Sequence, residues 1–443
     1  MVLISVSVYT IITIPYDEAV ILWRAGEQHW LDVPRNAYPT WFSIVLQKRL
    51  PETIIADTSK PAVGSVKVIV PAGEQLRVLK SELSFRFEYD DFPSEINVFY
   101  RVHYSVSPPQ ITLTWVKPDG SQIELRKMAP SSDGSYYLMT DPRIVSEGLN
   151  RIQTATGERP DYELTAPVVL FGVEDASILK QETLQVMKGN YRLVIEGLLF
   201  DPHSDFDAKL VVYGKVYGWA GTDHLRRDIG IALLWGTPVA LAFGVVAAIS
   251  ITLIQMTIGA LSAWYSRVLD AAIQRINEVA IVLPLLPVLI MVQTLYKLNI
   301  WLILLIVIAL FSLGPGVKFY RAQFLQLKEL PYVEAAKAYG VGNFRIVFFH
   351  LMPRVLPSAI PPIVFAVPDF VFLEAVLAIL GLGDPLTPTW GKVIEDAFYG
   401  GALFKGYYYW ILEPSLLLVV TTMGFVSLGL ALDKVFNPRL REV

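Results

Sequence analysis

After Asp228 the chain carries five long apolar runs, at roughly 229–263, 279–296, 300–313, 360–380 and 410–432. A helix needs about 20 apolar residues to cross the hydrocarbon core of a bilayer. In lipid the backbone must satisfy its own hydrogen bonds, so a series of such runs is expected to fold as a helical bundle. The third run is short, and Ser312-Leu313-Gly314 extends it toward Val317. Five spanning helices are expected in this half. The whole chain is 53% hydrophobic and 18% charged, with mean hydropathy +0.45, whereas soluble domains are about a quarter charged.

The charge is unevenly placed. Tyr16–Asp228 holds 23 Lys and Arg against 29 Asp and Glu, and Ile229–Val443 holds 14 against 12. The first part therefore has the character of a water-soluble, acidic domain, with a boundary near Asp228. A net charge of −4 provides no broad basic field for nucleic acid. The chain has no cysteine, which excludes disulfides, thiol catalysis and cysteine-based metal sites.

Loop charges set the expected orientation. If the run from Ile229 heads inward, the segments 264–278, 318–356 and 433–443 carry 11 Lys and Arg, against three (Lys297, Lys392, Lys405) in the opposite loops. This places the C-terminus in the cytoplasm and the acidic part outside the cell. Residues 1–15 are read as a first transmembrane helix. The apolar stretch Val2–Ile14 rises only about 20 Å as a helix, against a core of about 30 Å. That suggests either a span with further residues upstream or an interfacial helix. It lacks a basic leader and a small-residue cleavage site, so it does not read as a signal peptide.

Residues 16–64 are expected to form a membrane-proximal extracellular segment, with a short helix starting near Asp17 and tryptophans Trp23, Trp30 and Trp41 suited to an interface. From 65 to 218 apolar and polar residues alternate in short stretches, among them SVKVIV, EINVFYRVHYSV and NYRLVIEGLLF. These read as strands of an extracellular β-sandwich, with a hairpin turn at Lys117–Gln122. APVVLFGVEDAS is expected to add a strand and ILKQETLQVMKGN a helix. No catalytic signature occurs in this part, neither H-E-x-x-H nor G-x-S-x-G. Asp201, Asp205 and Asp207 read as a solvated turn, with a calcium loop as the alternative. No metal site is assigned.

The segment 318–356 is a basic loop between two apolar runs. It reads as a helix, a break at Gly340–Gly342, a second helix capped by Asn343 and running to about His350, and then Pro353 and Pro357. Small Ala335, Ala336 and Ala338 on a cytoplasmic helix offer close approach to a partner. Asp369 and Glu374 lie in or near a membrane run, where ionised carboxylates are costly. They either face a polar path or serve local structure, Glu374 at the bend near LGLG and Asp369 at the kink after Pro368. No G-x-x-x-x-G-K-[ST] phosphate loop occurs, so the chain has no such cradle for ATP.

EAAKAYGVGNFRIVFFHLMP resembles the EAA loop of binding-protein-dependent ABC importers, with the signature at Glu334, Ala335, Ala336, Gly340, Ile346, His350 and Pro353. GWAGTDHLRRDIG resembles the segment before the second membrane helix of the dipeptide/oligopeptide permease C subunit. Gly221, Thr222, Asp223, Arg227 and Asp228 match it, and Arg226 stands where that family has glycine. FLEAVLAILGLGDPLTPTWGKVI resembles that family's late segment at Glu374, Leu380, Gly381, Gly383, Pro388, Trp390 and Gly391, and NPRLR resembles its end. The resemblance spans most of 219–441.

It implies a type I ABC importer fold with about six transmembrane helices, the first at 1–15 and the others in a permease domain at 219–443, and an inserted sandwich where the family has a much shorter segment. It further implies a permease subunit that is not an enzyme. The expected partners are a second permease, two ATPase subunits that hold ATP and Mg, and an extracellular solute-binding protein. Asp369 and Glu374 are candidates for the translocation path. Short peptides are the implied cargo, with oligosaccharides or nickel as alternatives within the class. A membrane-anchored surface receptor and an ion-coupled secondary transporter are the readings from other classes.

Overall fold

A computed structural model describes residues 2–25, 29–60, 65–72, 76–384 and 386–436. The NPRLR match and the basic Arg439 and Arg441 lie outside the described residues. The chain divides into two compact units, Met1–Arg24 with Ile229–Val443, and Ala25–Asp228. The first opens with helix α1 (Val2–Thr13) and helix α2 (Tyr16–Arg24), set 82° apart at the break that contains Pro15. Asp17 and Glu18 occupy the first turn of α2, where the helix dipole favours them.

The unit Ala25–Asp228 contains a one-turn helix α3 (Phe42–Leu46) and strands β1 (Ile54–Asp57), β2 (Ser65–Pro71), β3 (Arg77–Phe87), β4 (Glu95–His103), β5 (Gln110–Val116), β6 (Gln122–Met128) and β7 (Gly134–Tyr137). Helices α4 (Pro142–Thr156) and α5 (Ala166–Phe171) follow, then strands β8 (Gly189–Leu199) and β9 (Asp205–Tyr213). The strands form two antiparallel sheets, ordered β1-β9-β4-β7 and β2-β3-β8-β5-β6. One buried cluster draws side chains from both sheets and from α4 and α5, as a sandwich requires. At its centre Phe85, Phe87, Trp115, Phe171 and Tyr191 pack ring to ring, and the Trp115 indole donates to the Leu170 carbonyl at 3.2 Å. The turn at Lys117–Gln122 forms with Gly120 at φ +86°.

Three expectations for residues 16–218 change. The stretch expected as a strand at 166–177 begins with helix α5, all six residues of which are buried. The stretch expected as a helix holds only 3₁₀ turns at Ala176–Leu179 and Gln181–Thr183 before β8. A short apolar run packs equally well in either form, and Pro167 in the first turn favours the helix. Of the three tryptophans read as interfacial, Trp23 and Trp30 are buried, and only Trp41 is exposed. The acidic cluster has structural employment. Asp201 accepts from the amides of Ser105, Val106 and His203, and Lys67 clasps Asp205 and Asp207.

The other unit continues with α6 (Ile229–Trp264), α7 (Arg267–Val282), α8 (Leu285–Tyr296), α9 (Ile300–Phe311), α10 (Pro315–Lys328), α11 (Pro331–Ala338), a long α12 (Asn343–Leu382), α13 (Trp390–Tyr399), α14 (Ala402–Lys405) and α15 (Tyr409–Phe436). Helices α6, α12 and α15 are long and apolar enough to cross a membrane alone. With each of the bent pairs α1–α2, α7–α8 and α9–α10 counted as one, the described residues hold up to six candidate spans. The expected single run at 279–296 is broken at Leu283-Pro284, where α7 and α8 meet at 76°. The run at 300–313 likewise stops at Phe311 and turns by 51° through Ser312–Gly314.

Helix α6 is the spine of this unit, with α10 and α12 packed along it. A Cβ on Gly244 would sit 2.9 Å from the Val367 carbonyl oxygen of α12, and one on Gly259 2.8 Å from the Arg321 nitrogen of α10. Small residues thus bring backbones together where lipid gives no hydrophobic drive for helices to associate.

Candidate functional site

The EAA segment folds as a short helix on a packed base. Val333, on α11, is fully buried and joins Met256, Ala260, Ala263 and Trp264 of α6, Tyr320 and Phe324 of α10, and Ile346, Val347 and Leu351 of α12 in one cluster. Each large apolar side chain so buried contributes roughly 1.5–3 kcal/mol. On the other side of α11, Glu334, Ala335, Ala338 and Tyr339 face outward, and Tyr339 is 88% exposed.

Gly340 closes the helix at φ +76°. Its amide donates to the Lys337 carbonyl at 2.9 Å, and the Val341 amide reaches back to Ala336 at 3.1 Å. This is a Schellman cap, which favours glycine at the left-handed position. A Cβ on Gly340 would meet nothing within 4 Å, so φ alone imposes the requirement.

Cations brace the base. The Lys328 ammonium donates to the Ala263 and Trp264 carbonyls at the end of α6, and Lys337 lies 4.9 Å from the Trp264 ring. The Arg354 guanidinium stacks 4.1 Å over Tyr332. Arg321 of α10 holds Asp270 of α7 through two bonds, at 2.7 and 2.5 Å. Sequence reasoning had not picked out Trp264 or Tyr332, and it counted Lys328 and Arg354 only as loop charges. The legible signal was a tryptophan at the end of a long apolar run.

Signature residues separate into two roles. Glu334 and Ala335 are exposed, Ala336 is half-buried, and Ile346 is in the core. His350 and Pro353 are exposed further along α12. Two expectations are corrected here. Gly342, not Asn343, is the extended residue before the second helix, and Asn343 begins that helix without a side-chain cap. The helix also does not stop near His350. It runs on to Leu382 through Pro353, Pro357, Pro361, Pro362 and Pro368. A π-helical stretch at Ile346–Leu351 precedes the first proline. Wider turns of this kind relieve the clash and the lost amide that proline brings.

The pre-helix motif is a buried knot in the sandwich unit. The Thr222 hydroxyl donates to the Pro34 carbonyl at 2.7 Å and accepts from the Ala37 amide at 2.9 Å. Asp223 accepts from the Leu225 and Arg227 amides and from the Arg227 guanidinium. Gly221 has φ +73°, and Thr222 bridges Asp228. Arg226 stands at φ +67°, a conformation in which glycine is free of strain. Its side chain compensates: it donates to the Val33 carbonyl at 2.6 Å, pairs with Glu95 at 2.5 Å and covers the Tyr213 ring at 4.3 Å.

The structure does not bring the two candidate path carboxylates together. Asp369 is exposed on this chain, whereas Glu374 is buried. Glu374 is hydrogen-bonded to Thr389, the residue whose hydroxyl caps α13. A Cβ on Gly391 would lie 3.2 Å from the Glu374 carboxylate, so that glycine leaves room for it. Nearby Asp384 accepts from Thr387, which in turn meets the Tyr16 hydroxyl of α2 at 3.2 Å. The late-segment matches Gly381, Gly383, Trp390 and Gly391 therefore surround a packed corner. The Trp390 indole donates to the Leu233 carbonyl of α6 at 2.9 Å.

Comparison with known proteins gives this architecture a family. Residues 255–442 match the family described as binding-protein-dependent transport system inner membrane component. The dipeptide transport system permease protein DppC of Bacillus subtilis is 30% identical over 225 residues, covering 51% of this chain and 69% of its own. The oligopeptide transport system permease protein OppC of the same organism is 30% identical over 228 residues, 51% of this chain and 72% of its own. The glutathione transport system permease protein GsiD of Pectobacterium atrosepticum is 29% identical over 225 residues, 51% and 73%. The family match lies wholly beyond the sandwich unit. The chain belongs to the binding-protein-dependent ABC transport permeases, in the dipeptide/oligopeptide group, and is a membrane transport component rather than an enzyme.

Proposed function

We propose that this chain forms half of the translocation path of an ABC importer for short peptides and transmits the work of partner ATPases through α11. The observation that carries this reading is the form of α11. One side is locked into a core shared by α6, α10 and α12, while Glu334, Ala335 and Ala338 stay exposed on the other. A short helix held rigidly below and bare above suits insertion into a partner's groove. ATP and Mg belong to the ATPase subunits, a second permease completes the path, and an extracellular binding protein delivers cargo. The loop-charge bias supports a cytoplasmic α11 and an extracellular sandwich.

ATP has only to favour one of two packings of the permease pair to drive alternation between inward-facing and outward-facing states. In this reading Asp369, exposed on the chain surface, belongs to the path. Glu374 instead positions α13 through Thr389. The peptide assignment draws on the relatives' names; an oligosaccharide cargo would use the same machinery.

Glu334→Lys, or Gly340→Trp, is expected to abolish uptake while the chain still inserts into the membrane and co-purifies with its partner permease. Uptake into proteoliposomes, with insertion checked by protease protection, measures this. Wild-type uptake by both variants would remove the coupling role from α11.

A further inference from the structure

The sandwich unit carries an apolar platform that the transport reading does not use. Trp41 is 45% exposed, and α3 follows it with Ile44 at 78%, Val45 at 63% and Leu46 at 47%; Trp219, from the far end of the unit, is 51% exposed. The platform is built rather than loose. The Trp41 indole donates to the Trp219 carbonyl at 3.0 Å, and both the amide and the hydroxyl of Thr40 donate to the Gly218 carbonyl at 2.9 Å. Tyr38 and Phe42 stack at 4.7 Å beneath Trp41, whose ring meets Phe42 edge-on at 5.7 Å. Gln47, at φ +52°, ends α3 and leaves its apolar residues in the open.

We infer that this platform dips into the interfacial layer of the lipid bilayer. Three observations select lipid over protein. First, its chemistry is that of an interface: two tryptophans, each with an apolar ring and a polar edge, beside Ile, Val and Leu. Second, Tyr38–Arg49 contains no carboxylate and ends in exposed Lys48 and Arg49, a balance that suits anionic headgroups. Third, Trp219 lies only ten residues before Ile229, where the 36-residue apolar helix α6 begins, so the chain tethers the platform within about 35 Å of a membrane span. The platform offers five side chains, too few for a stable protein interface, which uses about 20–30 residues a side. It suits shallow insertion, about 5–10 Å into the boundary between headgroups and acyl chains. This inference holds whatever the cargo, so it stands or falls apart from the transport reading.

The absence of cysteine allows a clean test. Ile44→Cys and Val106→Cys are made separately in the full chain, each labelled with a nitroxide and reconstituted in vesicles containing anionic lipid. Val106 is 78% exposed on the same unit and serves as the water-facing reference. The label at 44 is expected to be accessible to oxygen and shielded from a water-soluble nickel chelate, with the reverse at 106. If Ile44→Cys fails to fold, Leu46→Cys carries the same expectation. Chelate access at 44 equal to that at 106 would overturn the proposal. So would shielding from both oxygen and chelate, which would mean that a protein covers the platform.

Discussion

At the scale of single residues, two left-handed positions show how local strain is answered. Gly340 answers it by having no Cβ, and was legible because a glycine after an alanine-rich helix is a known stop. Arg226 answers it by reaching Val33, Glu95 and Tyr213, which no local pattern reveals, since Glu95 lies 131 positions away. Arg226→Gly removes about 1 kcal/mol of backbone strain but also a charge-assisted bond, worth about 1.5–3 kcal/mol. The variant is therefore expected to be less stable by roughly 0.5–2 kcal/mol, read as a lowered thermal midpoint of the sandwich unit. A raised midpoint would show that glycine is the better residue here. Asp369 and Glu374, which composition left equal, differ in burial, because two carboxylates five positions apart on a helix face different ways.

Among the elements, α4 shows a helix with all its signals present. Asp141 caps it through the Arg143 amide, Pro142 opens it, and Gly157 ends it at φ +79°. The strand pattern on either side hid these signals, as it hid the helical form of α5. Burial works against the Asp141 charge, but the Arg143 amide, the Tyr136 hydroxyl and the Arg143 guanidinium outweigh it and hold the carboxyl below its usual range. A depressed folded value means that its contribution is complete above about pH 3.9 and is lost as pH falls through the folded value. Asp141→Asn keeps a capping oxygen but loses the charge that the Tyr136 and Arg143 donors meet, so it is expected to cost about 1 kcal/mol near neutrality and to flatten the loss of stability as pH falls below about 3.9, followed by thermal unfolding. An unchanged acid profile would mean that Asp141 contributes no charge-dependent stability. The continuity of α12 was illegible for a different reason. Five prolines signal a break in water, but here a π-helical stretch and packing against α6 carry the helix through them.

Over the whole molecule, the sequence announced its division through charge. The turn from acidic to charge-poor at Asp228 coincides with the edge of the compact sandwich unit. Where that unit begins was harder to see, because residues 34–40 join it by pairing with the distant segment 215–223. Tyr38 bridges Val216 in parallel, the Asn36 amide reaches the Asp223 carbonyl at 3.0 Å, and the Tyr217 amide reaches Tyr38 at 2.8 Å. Replacing residues 34–223 by a short Gly-Ser turn is therefore expected to leave α6–α15 inserted and folded, with a thermal midpoint within a few degrees of the parent in detergent. Aggregation of the shortened chain would show that the helices depend on the sandwich.

The same pairing has a consequence for ancestry. A flexible stretch of this length would cost its flanking helices about 2–3 kcal/mol more to close than a ten-residue turn. Here the incoming and outgoing strands are clasped to each other, so the closure is already made inside the insert. To the chain on either side, some two hundred residues enter and leave at neighbouring points. A lineage of transport proteins can then gain, enlarge or shed such a module without redesigning the bundle that carries it.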